Sequence, residues 1–162
     1  MLSIKRADTA NLRDIFNLAH KIWQDTYVQN IGQTQVDYML QLFYSEPALK
    51  EKLEKGHDIF TVYNNDDFIG YLHLEQRSTD IFIHKFYIDT SSQHKGVGSW
   101  AMNHLKSEIN TPNKFLRLHV NRKNFKAINF YFKNGFIIEG YDDFDIGNGY
   151  YMNDFIMSYT KK

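Results

Sequence analysis

Residues 81–105 read IFIHKFYIDTSSQHKGVGSWAMNHL and contain a strand, a glycine loop and the start of a helix in succession. The first eight residues are apolar or aromatic except for His84 and Lys85, which alternation places on opposite faces of the strand. A strand that is apolar on both faces belongs in the middle of a covered sheet. The segment Asp89–Ser92 has the composition of a turn and ends the strand. The stretch therefore predicts a central strand that leads through a loop into a helix.

Two glycines, Gly96 and Gly98, lie where this loop meets the helix. Glycine lets backbone N–H groups approach a ligand closely, and a helix N-terminus carries about half a positive charge. Together these features suit a phosphate group, although a lone Gly-x-Gly pair is equally consistent with an ordinary turn. The loop has neither the Gly-Lys-Ser/Thr of a Walker loop nor the third glycine of a dinucleotide fingerprint.

The composition limits the classes of protein to consider. A chain of 162 residues is long enough to bury a core, and it predicts a single domain over residues 1–162. Basic and acidic side chains balance at 19 each, so no global field favours nucleic acid or an anionic membrane. There is no cysteine, which excludes disulfides and a thiol nucleophile. The opening sequence MLSIKRADTANL has no signal-peptide pattern, and no stretch is long and apolar enough for a membrane span, so a cytoplasmic location is expected.

Periodicity and turn residues predict a mixed α/β sheet with at least one crossover. The expected strands lie at residues 2–5, 59–63, 68–75, 81–88, 115–120, 136–144 and 151–159. Asp8 or Thr9 is expected to cap a first helix, whose pattern fades between Asp25 and Asn30. Further helices are expected at 34–44, from Ser45 as cap to Gly56, from the glycine loop to about residue 110, and at 124–134.

Two segments, QHKGVGSWAMNHL and LHVNRKNFKAINFYFKNGF, occur in an order and setting that resemble the GNAT N-acetyltransferases over nearly the whole chain. The second segment contains Asn-x-x-Ala-x-x-Phe-Tyr-x-x-x-Gly-Phe, which is a specific pattern when it is paired with the first. The resemblance implies a GNAT-like mixed, splayed central sheet of about seven strands flanked by helices. It also implies acetyl-CoA as cosubstrate, with the pantetheine arm between two splayed strands.

The resemblance also assigns residues to the cofactor. Backbone groups of Tyr87 and Ile88 would bind the pantetheine amides and the acetyl carbonyl. Asn124 would bond the pantetheine arm, although it could also be a helix N-cap. Lys133 would contact the ribose phosphate. The pyrophosphate would be held by Gln93, His94, Lys95, Gly96, Val97, Gly98 and Ser99.

Acetyl transfer to an amine needs a base and a proton donor for the leaving thiolate. His84, where relatives often carry Glu, is the first candidate for the base because the reference pKa of histidine suits the task. Glu75, His119 and a water relay are alternatives, and His84 could instead be a strand histidine bonded to a carbonyl. The resemblance assigns the proton donor to Tyr131, which could otherwise be an ordinary aromatic residue on a helix stripe.

The acceptor is less defined by the sequence. The segment IWQDTY at 22–27 and the tail at 146–157 resemble the PaiA-type polyamine acetyltransferases. Asp143 and Asp145 share a strand face and could bind a cationic amine, as could Asp142 and Asp154, or these acids could simply be solvated. A peptide N-terminus or lysine is the alternative acceptor, and an acyl-CoA-binding domain without turnover is the alternative function. The family resemblance also allows a homodimer.

No metal is expected, because the histidines do not form ligand pairs at short helical spacing beside acids. His20, His57 and His104 are accordingly expected to be surface or structural residues.

Overall fold

Seven strands form one mixed sheet in the part of the chain that the computed structural model describes, residues 1–93, 95–107 and 114–161. The strands are β1 (Leu2–Arg6), β2 (Asp58–Asn64), β3 (Asp67–Gln76), β4 (Asp80–Ile88), β5 (Phe115–Asn121), β6 (Ile137–Gly147) and β7 (Tyr150–Thr160). Their order in the sheet is β1-β2-β3-β4-β5-β7-β6. The predicted mixed sheet of about seven strands with flanking helices is confirmed.

The helices account for most of the remaining described chain. They are α1 (Leu12–Thr26), α2 (Val28–Ile31), α3 (Gln33–Tyr44), α4 (Glu46–Glu54), α5 (Val97–Ser107) and α6 (Phe125–Lys133). None of the helices in these described ranges is long and apolar enough to cross a bilayer.

The described chain divides into two compact units. The first unit contains Met1–Glu75 and Lys85–Ala101, and the second contains Gln76–His84 and the described part of Met102–Lys162. Strand β4 and helix α5 each contribute residues to both units. The single domain over residues 1–162 therefore stays a prediction.

The first unit is built on the antiparallel strands β1, β2 and β3 and on helices α1 to α4. The apolar stripe of α1 is buried as its 3.6-residue period predicts, with Ile15 and Ala19 fully inaccessible. Ile59 and Leu72 contribute buried side chains from β2 and β3. Each large aliphatic side chain buried in this way stabilises the fold by roughly 1.5–3 kcal/mol.

The second unit is built on the first half of β4 together with β5, β7 and β6. Strand β4 runs parallel to β5, with Asp80–Ile83 opposite Phe115–Leu118. Strand β5 alternates between buried and half-buried residues, so that Leu116 and Leu118 enter the core with Met157 of the antiparallel strand β7. This alternation is the expected pattern of a strand with two distinct faces.

Several local expectations are corrected by the structure. The sequence pattern fades between Asp25 and Asn30, but helix α1 continues to Thr26 because the main-chain N–H of Tyr27 still donates to the Trp23 carbonyl. The short helix α2 follows it directly. Ser45 precedes α4 but its side chain makes no capping hydrogen bond. The predicted end of α5 near residue 110 lies outside the described residues.

Candidate active site

The end of β4 is fixed by hydrogen bonds within the first unit. The side-chain amide of Gln93 donates to the carbonyl of Ile88 at 2.8 Å, which brings together two of the residues predicted to bind the cofactor. Asp89 accepts hydrogen bonds from the Lys21 ammonium at 2.9 Å and from the Ser91 N–H at 3.1 Å. Burial alone would raise the pKa of Asp89, but these hydrogen bonds outweigh it and hold the pKa below its ordinary value. The chain therefore leaves the strand in a defined direction.

The glycine loop turns into α5 through a left-handed residue. Gly96 has φ of +77°, a backbone conformation that side chains with a Cβ rarely adopt, and its carbonyl accepts from the Trp100 N–H at 2.9 Å. Val97 is 5% exposed, so its side chain lies in the core while its backbone begins the helix. The first N–H groups of a helix have no partner inside the helix. They are therefore the groups with which this loop could bind phosphate.

The other loop residues differ in exposure. Lys95 and Ser99 are exposed and Gly98 is half-buried in the first turn of α5. An ammonium, a hydroxyl and helical N–H groups are thus available around one helix start, which is chemistry suited to a phosphate group. The remaining predicted residue of this set, His94, lies outside the described residues.

Gly70 of β3 lies against the backbone of the β4 residues that the sequence assigns to the cofactor. A Cβ at Gly70 would stand 2.5 Å from the carbonyl oxygen of Tyr87 and 3.4 Å from the Cα of Ile88. One residue earlier, the carbonyl of Ile69 accepts from the Asp89 N–H at 2.7 Å. Only glycine allows β3 to approach the end of β4 this closely. Gly70 was not among the predicted site residues, although a glycine inside a strand pattern is a known sign of close backbone approach.

A cluster of phenols connects α3 with β3 and β4, and in it Tyr44 and Tyr71 are fully buried while Tyr87 is half-buried. The Tyr44 hydroxyl donates to the Tyr87 hydroxyl at 3.3 Å, and the Tyr71 ring packs against both of these rings at centroid distances of 5.6–6.4 Å. Trp23 and Tyr27 extend the cluster along α1. Burial raises the pKa values of Tyr44, Tyr71 and Tyr87 well above the ordinary value. The phenols therefore stay neutral and can act only as hydrogen-bonding groups.

The two imidazoles proposed as bases lie in the second unit. His84 is half-buried on β4, and its ring meets the Phe82 ring edge-on at 4.7 Å. His119 on β5 stacks on Phe144 at 4.5 Å and meets Phe82 edge-on at 4.9 Å. Both histidines thus have rings fixed by aromatic neighbours.

A cavity of about 290 Å³ opens beside His119. Its walls are Arg77, Arg117, His119, Glu139, Gly140 and Ile156. Burial and the nearby charges of Arg77 and Arg117 lower the pKa of His119, which outweighs the opposing effect of Asp142. His119 is consequently a neutral imidazole at pH 7, the form that can accept a proton.

Arg117 is held between two carboxylates in the same unit. It donates to Asp80 at 3.0 Å and to Glu139 at 3.2 Å. Asp80 is 2% exposed, and its second carboxylate oxygen has no hydrogen-bond partner among the described residues. Breaking a buried pair of this kind is costly because it leaves a charge without its partner.

Helix α6 carries the other predicted site residues. The Asn124 side chain accepts from the Ala127 N–H at 3.1 Å, so Asn124 is the N-cap of α6. Tyr131 is 9% exposed and its ring packs against Phe136 at 5.4 Å. Lys133 is exposed in the last turn. The helix therefore sets a capping amide, a buried phenol and an exposed ammonium on one rigid element.

Two of the acids proposed for acceptor binding, Asp143 and Asp145, accept hydrogen bonds from other residues of the second unit. Asp143 accepts from Arg122 and, at 2.7 Å, from the Asn153 side chain, and these contacts hold its pKa below the ordinary value. Asp145 accepts from the Gly147 N–H at 2.8 Å. Asp154 is buried at 6% exposure. Asp143 is therefore bonded to its neighbour across the β6–β7 ladder and to Arg122 after β5, contacts that were not predicted from the sequence.

Residues 13–136 match the family model described as the acetyltransferase (GNAT) family. This match covers more than half of the chain, and the chain belongs to that family. It is an N-acetyltransferase by family, which confirms the class of enzyme that the sequence resemblance implied.

Known relatives resemble the chain over nearly its full length. A spermidine N(1)-acetyltransferase of Thermoplasma acidophilum is 22% identical over 152 residues, which cover 89% of this chain and 93% of that protein. The structure of a PaiA N-acetyltransferase from Thermoplasma acidophilum in complex with coenzyme A has a TM-score of 0.73 at 21% identity and covers 98% of both chains. A ribosomal-protein-alanine N-acetyltransferase from Brucella melitensis has a TM-score of 0.68 at 14% identity and covers 97% of this chain and 98% of that one. The likenesses to the solved structures show the fold.

Proposed function

We propose that the chain transfers the acetyl group of acetyl-CoA to a primary amine by direct attack in a ternary complex, and that the acceptor is a polyamine. The observation that carries the proposal is the near full-length similarity to a spermidine acetyltransferase and to a PaiA enzyme that binds coenzyme A. The family membership supplies the reaction class. The acceptor and the roles of individual residues are the proposed part.

The cofactor would be held by groups that the fold makes rigid. The glycine loop and the start of α5 would bind the pyrophosphate, and the proposed residues are Gln93, His94, Lys95, Gly96, Val97, Gly98 and Ser99. The positive φ of Gly96 and the buried side chain of Val97 support a backbone-mediated contact. Tyr87 and Ile88 would bind the pantetheine and the acetyl carbonyl through their backbone, and Asn124 and Lys133 would contact the pantetheine and the ribose phosphate.

The chemistry requires one bond to form and one to break. The neutral amine attacks the thioester carbonyl carbon, and backbone N–H groups at the end of β4 stabilise the oxyanion of the tetrahedral intermediate. The carbon–sulfur bond then breaks, the thiolate takes a proton from the Tyr131 hydroxyl, and the amine proton leaves to a base. Exchange with water then removes the proton from the base and returns one to Tyr131. The products are the acetamide and free coenzyme A.

Two histidines are candidates for that base. His84 is proposed from the sequence because of its position on β4. His119 is supported by a specific observation, since its lowered pKa keeps it neutral at pH 7 beside a cavity. A base that is already neutral can accept a proton without first losing one.

The polyamine proposal rests on the relatives rather than on the acidic residues. Asp143 already accepts from Arg122 and Asn153, and Asp145 from the Gly147 N–H, so a cationic acceptor would have to compete with these contacts. An exposed charge pair would contribute only about 0.2–1 kcal/mol even if one of them were released.

An amine panel tests the proposal directly. Purified protein with acetyl-CoA is given spermidine, spermine, monoamines or N-terminal peptides, and free thiol release is followed over time. Spermidine or spermine is expected to give the highest kcat/KM. Turnover with peptides alone would replace the polyamine by a peptide acceptor and leave the acetyltransferase assignment intact.

The same panel addresses the non-catalytic alternative. A domain that only binds acyl-CoA would show calorimetric binding of acetyl-CoA without thiol release by any amine. A homodimer and a cytoplasmic location stay predictions from the family resemblance and from the sequence.

A further inference from the structure

The first unit contains a pair of histidines that the proposed reaction does not use. The Nδ1 atom of His57 and the Nε2 atom of His73 lie 2.8 Å apart, and the ring centroids are 5.0 Å apart at an interplanar angle of 46°. His57 is the residue before β2, and His73 lies within β3. Fifteen residues separate them in the chain, and the β2–β3 hairpin brings their side chains together. We propose that this pair chelates a divalent transition metal ion such as Zn²⁺.

The separation of the two nitrogens fits two ligands on one ion. Zinc–imidazole bonds are about 2.0–2.1 Å long. Two such bonds place their nitrogens roughly 2.9 Å apart at a right angle and roughly 3.3 Å apart at a tetrahedral angle. The observed 2.8 Å therefore needs an opening of a few tenths of an ångström when the shared proton is replaced by a metal ion.

Both rings are carried by well-defined backbone. His73 is 4% exposed and its residue pairs with Ile59 across the β2–β3 ladder. The His57 N–H donates to the Lys52 carbonyl at 3.0 Å, directly after Gly56, whose φ is +81°. A chelate gains affinity when its ligands are held in place before the metal arrives, because less conformational freedom is lost on binding.

The chemistry of the pair also favours a metal. One of the two facing nitrogens must carry no proton for the 2.8 Å hydrogen bond to form, and an unprotonated imidazole nitrogen is the group that ligates zinc, copper and nickel. The chain has no cysteine, so no thiolate competes for the ion. His57 is half-buried, which leaves a side from which water can complete the coordination. This inference does not depend on the acetyltransferase reaction.

Calorimetric titration of the full chain with Zn²⁺ tests the proposal. The wild-type protein is expected to bind one Zn²⁺ ion, and His57→Gln is expected to bind it at least tenfold more weakly. His20→Gln is the matched control, because His20 is an exposed histidine of the same unit that lies on α1. Its affinity is expected to equal that of the wild type.

Thermal unfolding with and without Zn²⁺ distinguishes loss of the metal site from a folding defect in the variant. Zn²⁺ should raise the Tm of the wild type and of His20→Gln, since a ligand that binds only the folded state stabilises it, but it should not raise the Tm of His57→Gln. Absence of saturable Zn²⁺ binding by the wild type would leave the pair as a plain hydrogen bond and overturn the proposal. Equal affinity in wild type and His57→Gln would overturn it as well, because the ion would then be bound elsewhere.

Discussion

At the scale of single residues, Gly70 has no room for even one added methyl group. A Cβ there would be 2.5 Å from a backbone oxygen of Tyr87, so β3 or β4 has to move. Forced overpacking of this kind typically costs about 1–3 kcal/mol. The groups that would move are those proposed to hold the acetyl carbonyl.

Gly70→Ala is therefore expected to lower kcat/KM at least tenfold and to weaken acetyl-CoA binding. Steady-state kinetics, calorimetry with acetyl-CoA and circular dichroism measure the effects. Kinetics of Gly70→Ala within a factor of two of the wild type would contradict the positioning role.

Removal of the Tyr131 hydroxyl tests the proposed proton donor. Tyr131→Phe keeps the buried ring but loses the proton, and general acid catalysis contributes about 10²–10⁴-fold. We expect kcat to fall by at least 100-fold, with acetyl-CoA affinity nearly unchanged. Tyr141→Phe removes a phenol that is 71% exposed and should leave kcat as it is. A kcat of Tyr131→Phe within threefold of the wild type would reduce Tyr131 to a packing residue.

The pH profile separates the two candidate bases. If His119 is the base, kcat/KM falls at low pH with a midpoint below the ordinary histidine pKa of 6.5, because the folded protein lowers the pKa of His119. His119→Gln should remove this acidic limb together with most of the rate. An acidic limb that persists in His119→Gln and disappears in His84→Gln would assign the role to His84.

The lowered pKa of His119 makes the folded protein less stable at acidic pH. Between the folded pKa and 6.5, the unfolded chain binds more protons at this site than the folded chain. The contribution of His119 to stability is therefore full above pH 6.5 and is lost as the pH falls through that window.

At the scale of elements, α6 depends on its first residue. Asn124 accepts from the Ala127 N–H and thereby satisfies one of the N–H groups at the helix start. The same side chain is proposed to contact the pantetheine arm. A pair of substitutions can separate the two roles.

Asn124→Ala should lower the free energy of unfolding by about 0.5–2 kcal/mol, because it removes the cap. Asn124→Asp keeps a capping oxygen and should retain nearly all of the stability, while it replaces the amide donor offered to the pantetheine. Urea unfolding and the KM for acetyl-CoA are the two measurements. Equal destabilisation by both substitutions would show that the cap is not what Asn124 contributes.

At the scale of the whole molecule, the charge balance determines solution behaviour. The formal net charge is zero at pH 7, so no net repulsion keeps the molecules apart at that pH. Solubility is expected to be lowest near pH 7 and to rise on either side of it. Light scattering across a pH series at low ionic strength checks this, and a flat profile would contradict it.

The amino-acid sequence by itself determined the seven strands, every helix except the short α2, and their order. Local periodicity is sufficient to predict features that depend on residues close together in the chain. Examples are the apolar run of β4, the glycines Gly96 and Gly98 at the start of α5, and the alternation of β5. Gly135, with φ of +83° after α6, is a similar case, because a helix end has a local signature. The family motifs are equally local, and they defined the class of enzyme.

Only the tertiary structure decided which distant side chains meet. The pairing of His57 with His73, the approach of Gly70 to Tyr87 and the partners of Asp143 all follow from the register between strands. A shift of one residue in that register would turn every side chain of a strand to the opposite face. The pKa of His119 depends likewise on burial and on two arginines brought close by folding. Contacts of this kind arise from the packing of the whole sheet, and local periodicity carries no information about them.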